Sequence, residues 1–291
     1  RGKGQLATAL YEQGRLGDTL AMLRSAVALE RDSRVPASLG AQLNFTWSRI
    51  TGLEMRLGQQ QAGQASFESA VKAHEQFMAQ LPEGSVRRAV QALPPDIWRA
   101  RLELWRGNHE AALARSQAVI ERIHGISTDG EGPRINEIRD NLLRFALSTA
   151  SMAAIGLGRY EEAESLSRAR LAVPPNLSGD ADPEDEISRA TVVLAHTVAL
   201  QGRAGEALAM VQSVLDGYRA EQQDGAGGTT FQRDLAYAYY VEALAQPDDA
   251  TGRARKRVSL AEATRALDRM SAEARQLSDH RELADWIRAA G

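Results

Sequence analysis

The chain has 291 residues, a formal net charge of -3, five histidines and no cysteine. Its hydrophobic content is 43% with only 5% aromatic residues, a helix-former composition dominated by alanine, leucine, glutamate and arginine. That balance excludes a disulfide framework, thiolate metal sites and a cysteine nucleophile, and gives no electrostatic footprint for nucleic acid. The lack of cysteine leans slightly toward an exported domain. No apolar run reaches the ~18–20 residues that span a bilayer, so no membrane insertion by this segment is expected. The sequence opens at Arg1, which suggests a piece of a larger protein.

A helical stretch breaks at a glycine five times along the chain, at Gly14, Gly58, Gly107, Gly158 and Gly202, with spacings of 44, 49, 51 and 44 residues. The clearest copy is Gly158-Arg159-Tyr160-Glu161-Glu162-Ala163, and Gly202 to Ala207 and Gly107 to Ala112 are close relatives. Glycine ends a helix because it accepts the left-handed conformation without a Cβ clash. The glutamates favour the positive end of the next helix, and the alanine is small because two helices cross there. Regular breaks of this kind are the signature of a stacked repeat.

In chain order, helix pairs are expected at about 1–34, 41–82, 94–124, 135–173, 184–222 and 230–277, with a capping helix at 279–290. Gly125 to Pro133, Pro174 to Pro183 and Gln222 to Thr229 form the longer connections. The sixth pair is degenerate: Asp234 to Ala245 is its first helix, and Pro247 replaces the glycine. Residues 247–257 then form an insertion before a helix from Val258 to Leu277. Terminal repeats are commonly atypical.

These features resemble the tetratricopeptide repeat family. Trp47, Gly58, Gly63, Phe67 and Ala70 follow its pattern in order, as do Leu147, Ala150, Ser151, Ala154, Gly158 and Ala163. The likeness covers about residues 1–220, and the units exceed the family's ~34 residues by ten or more. It implies an all-α chain in one domain, an α-solenoid of about six antiparallel helix pairs wound as a right-handed superhelix. It also implies a concave groove lined by the first helix of each pair. Carried over by position, the groove takes Phe45, Ser48, Gly52 and Met55; then Pro94, Ile97, Arg101 and Leu104. Phe145, Ser148, Met152 and Ile155 follow, and then Arg189, Val192, His196 and Ala199. Arg49, Trp98 and Trp105 lie one step away and reach it. The family's carboxylate clamp would fall on Gly4 and Thr8, which cannot form it.

Other motifs fail their own tests. The acidic run Asp180 to Glu186 lacks EF-hand spacing and reads as a helix start. Gly225 to Thr230 has no preceding strand or following lysine, so Thr229 or Thr230 is expected to cap a helix rather than cradle phosphate. Arg253 to Arg257 reads as a solvated basic loop. The histidines have no metal spacing, and no nucleophile elbow occurs. No catalytic constellation, metal or cofactor is therefore expected. The leading expectation is a protein-interaction scaffold that binds a peptide or partner protein, with a ligand-binding sensor domain as the alternative. The alanine- and arginine-rich repeats look like the C-terminal regions of bacterial regulators and serine/threonine kinases, which implies recruitment for a fused effector.

Overall fold

The computed structural model describes residues 2–32, 37–175, 183–225 and 227–291, and among them it is helical without a strand. Helices come as consecutive pairs. The first pairs are α1 (Gly2–Glu12) with α2 (Leu16–Asp32) and α3 (Ala37–Arg56) with α4 (Gln60–Met78). After a short α5 (Val86–Gln91) come α6 (Pro94–Trp105) with α7 (His109–His124) and α8 (Pro133–Gly156) with α9 (Tyr160–Ala172). Then follow α10 (Pro183–Leu200) with α11 (Ala204–Gln223), α12 (Thr229–Leu244) with α13 (Ala250–Asp268), a 3-10 turn at Ala274–Gln276, and α14 (Ser278–Ala290). Residues Asp180 to Asp182, most of the 174–183 connection, and Ala226 lie outside the described residues.

The five glycine turns share one geometry. Each glycine has φ between 70° and 78°. At Gly58 its own N–H donates to Met55 O at 3.0 Å, and the next N–H, of Gln59, reaches Glu54 O at 2.9 Å. The same two bonds recur at Gly107, Gly158 and Gly202. This is the Schellman motif, which satisfies carbonyls the helix end would otherwise orphan. Across each turn the small residue is fully enclosed: Ala112, Ala163 and Ala207 are each 0% exposed. At Gly63 a Cβ would lie 2.6 Å from Met55 Sδ, so the methionine occupies the space a side chain there would need.

The sixth pair departs from expectation. Residues 250–257 are helical, and α13 stops at Asp268 rather than Leu277. The reason is a cap: Asp249 accepts from Gly252 N at 2.7 Å and starts the helix early. A Cβ at Gly252 would meet Pro247 O at 1.9 Å, so glycine has moved from the turn to the first helical turn. The basic run Arg253 to Arg257 is accordingly a helix face and not a loop. Gly228 occupies the N-cap of α12, and neither Thr229 nor Thr230 caps it. Helix α5 had no counterpart in the sequence reading. Ser85 caps it by accepting from Arg88 N at 3.2 Å, and the Arg88 guanidinium closes the end of α4 on Met78 O and Leu81 O.

The chain divides into two compact units: residues 1–11 with 15–150, and 12–14 with 151–291. In the first, Leu93, Ile97, Val119, Ile123 and Ala146 form one core cluster, and Met55, Phe67 and Leu102 another. In the second, α10 to α14 share a larger core built on Val211, Leu215, Leu235, Tyr239, Leu267 and Leu283. Burial of such side chains contributes roughly 1.5–3 kcal/mol each. Ser151 and Ser167, both 1% exposed, pair by hydrogen bond at 2.6 Å and satisfy each other.

Candidate functional site

The first unit gathers part of the expected groove face. Ser48 and Thr51 of α3, Phe67 and Ala70 of α4, and Trp98, Arg101 and Trp105 of α6 line one shared cavity. Its free space is about 10 Å³, of the order of one water molecule. This face therefore offers a surface and not a chamber. Helices α3 and α6 approach closely because residue 52 has no side chain: a Cβ there would stand 2.9 Å from Trp105 Cη2.

Arg101 is the chemical centre of this face. Its guanidinium lies 5.1 Å from the Trp105 ring centre and 5.6 Å from that of Phe145. Both are within cation–π range. No carboxylate pairs with it among the described residues. Burial pulls its pKa down to about 10, with the nearby Arg56 charge adding to the effect. A half-buried, desolvated cation without an anion is an unmet electrostatic demand.

The surroundings reinforce the positive character. Arg49 spends one donor on Thr8 Oγ1 at 3.0 Å, and burial holds its guanidinium below the usual arginine range. Arg56 donates to Tyr11 Oη at 3.0 Å and lies 5.8 Å from that ring. Phe45 is 60% exposed and Phe145 is 45% exposed. Phe45 stands one turn before Ser48 on the same face of α3. His74 of α4, which sequence reasoning passed over, packs edge-on against Trp98 at 5.6 Å and fixes that indole. Burial lowers its pKa, against opposing contributions from the Gln91 backbone and Glu75.

Other positions carried over by register have different surroundings. Met55 is 2% exposed and packs into the core with Phe67 and Leu102, beside the gap at Gly63. Ser148 and Met152 of α8 are half-buried. In the second unit Arg189 is committed to its own fold, with Nε on Asp234 at 2.7 Å and Nη2 on Asp185 at 3.3 Å. His196 is 2% exposed and enclosed by Tyr237, Tyr240 and Trp286 at ring distances of 5.4, 5.6 and 5.8 Å. Its Nδ1 is 2.7 Å from Tyr237 Oη. Met55 and His196 are thus core residues, because their neighbours leave no path to solvent.

Among the described residues no group of histidines and carboxylates is placed to hold a metal ion, and no helix is long and apolar enough to cross a membrane. The repeated hairpins, with their Schellman turns and enclosed alanines, define an all-α helical-repeat fold. Family models and curated proteins give no match to the sequence. Among solved structures, the chain is similar to a crystal structure from Podosopora anserina described as kinesin light chain nearly identical TPR-like repeats. The two share 17% identity over 77% of this chain and 96% of that one, with a TM-score of 0.42.

Proposed function

We propose that the chain is a protein-interaction module whose repeats act as one domain, and that the α3–α6–α8 face receives a segment of a partner protein. Arg101 carries this reading. Its charge has no carboxylate partner among the described residues, while Trp105 and Phe145 hold it in place with little freedom left to lose on binding. The segment that suits it offers a carboxylate to Arg101 and apolar side chains to Phe45 and Phe145. Aromatic and arginine residues of this kind are the usual anchors of binding surfaces. The remaining groove positions, Ser48, Arg49, Trp98 and Ser148, extend the contact along the same helices. The resemblance to repeat segments of bacterial regulators and kinases supports a recruiting role beside a fused effector.

Peptide selection against the whole chain tests this. Selected peptides should carry an acidic residue next to apolar ones. Arg101→Gln combined with Trp105→Ala should abolish their binding while helicity by circular dichroism stays constant. Undiminished binding by that double variant would sink the proposal. A small ligand held at this face is disfavoured, because about 10 Å³ of free space admits none.

A further inference from the structure

A more open cleft lies elsewhere, in the second unit. Between α11 and α13, floored by α12, a cleft of about 650 Å³ is lined by charges of both signs, by amides and by apolar surface. That is within the range of small-molecule sites, roughly 300–1,000 Å³. Between α9 and α11 the chain spans the gap with its own ion pairs, Arg168 to Glu206 at 3.3 Å and Arg203 to Glu164 at 2.8 Å. Between α11 and α13 the space stays open.

Two groups in the cleft have unspent capacity. Arg255 is exposed on α13 and has no carboxylate partner among the described residues. Glu242 accepts from Ser259 Oγ at 2.8 Å through one oxygen, while the other is 4.0 Å from Arg219. Arg219 is already held by Asp216 at 2.9 Å. Val258, 60% exposed, adds an apolar wall.

We infer that this cleft binds a zwitterionic α-amino acid with an apolar side chain. Arg255 takes the carboxylate, Glu242 takes the ammonium, and Val258 takes the side chain. The cleft is lined by Arg219, Arg255, Glu242 and Glu262; Asp216 engages Arg219 and Arg265 engages Glu262, which leaves Arg255 and the half-engaged Glu242 for the two charges of a ligand. Exposure of Arg255 allows its replacement without loss of fold.

Titration of the whole ¹⁵N-labelled chain with L-leucine, L-phenylalanine, N-acetyl-leucine and leucinamide, followed by amide chemical shifts, decides the matter. Saturable shifts confined to α11, α12 and α13 are expected with the two amino acids, and none with the acetylated or amidated forms. Arg255→Gln should weaken leucine binding at least about tenfold, the scale of one charged hydrogen bond. Absence of saturation, equal binding of the blocked forms, or an Arg255→Gln variant that binds like wild type overturns the inference. Arg101→Gln, on other helices, should bind leucine unchanged, so a failure here leaves the peptide-binding proposal standing. Loss of leucine binding in Arg101→Gln would overturn the assignment to this cleft.

Discussion

Gly52 of α3 makes room for the indole of Trp105 on α6: a single added methyl would stand 2.9 Å from Trp105 Cη2. Trp105 in turn supports the Arg101 guanidinium. Two effects oppose each other in Gly52→Ala. Alanine gains about 1 kcal/mol of helix propensity, while the indole must move by several tenths of an ångström or more. The propensity gain keeps the fold, so the cost appears at the site. Gly52→Ala should show a Tm close to wild type, altered tryptophan fluorescence, and weaker peptide binding. A variant with unchanged fluorescence and binding would show that Trp105 does not depend on this gap.

Glu54 is 1% exposed on α3, and Arg24 of α2 reaches it at 2.6 Å from a half-exposed position. The second Glu54 oxygen accepts no hydrogen bond, so among the described residues the pair is what compensates a buried charge. Arg24→Ala strands that carboxylate. Removal of a partner from a fully buried pair costs roughly 3–5 kcal/mol; with the arginine half in solvent, about 2 kcal/mol is expected. Adding Glu54→Gln to Arg24→Ala should recover much of the loss, because the stranded charge is gone. Urea unfolding measures both. An Arg24→Ala midpoint equal to wild type would mean that the pair contributes nothing.

His196 gives the second unit an acid limit. Burial lowers its pKa from 6.5 to about 4, so the unfolded chain takes up this proton first as pH falls. Stability from this residue is intact above pH 6.5 and declines toward pH 4, by at most about 3 kcal/mol. Glu282 works the other way. Burial first, then Asp279 and Asp285, raise its pKa, so what it contributes is present at low pH and lost as pH rises. The His196 share is isolated by comparison with His196→Gln. The stability gap between wild type and variant should shrink between pH 7 and pH 4. A gap independent of pH would show that the imidazole is not kept neutral by its aromatic enclosure.

The glycine turns were legible because only one residue type accepts φ near +70° without strain, so each turn leaves a letter in the sequence. Helix α5 left too little: its six residues are fewer than two helical turns, and its cap and the Arg88 staple act over separations that periodicity does not register. The start of α13 was hidden because Asp249 and Gly252 serve a geometry peculiar to the last pair. For the candidate site, helical register gives the face on which a residue stands but not its depth. Ser48 and Arg101 line a surface cavity at the expected positions, whereas Met55, in the same register, fills the space beside Gly63. His196 was obscured for a longer-range reason. Its cover comes from Tyr237 and Tyr240 on α12 and Trp286 on α14, far along the chain.

The five glycine turns also set a clock. Each joins two helices that pack on each other across a handful of residues, so much of the loop-closure entropy is met locally. Chains whose contacts are mostly between sequence neighbours fold in microseconds to milliseconds, and repeats of this kind can nucleate at more than one place. A stiff left-handed kink written five times therefore provides five separate starting points for folding.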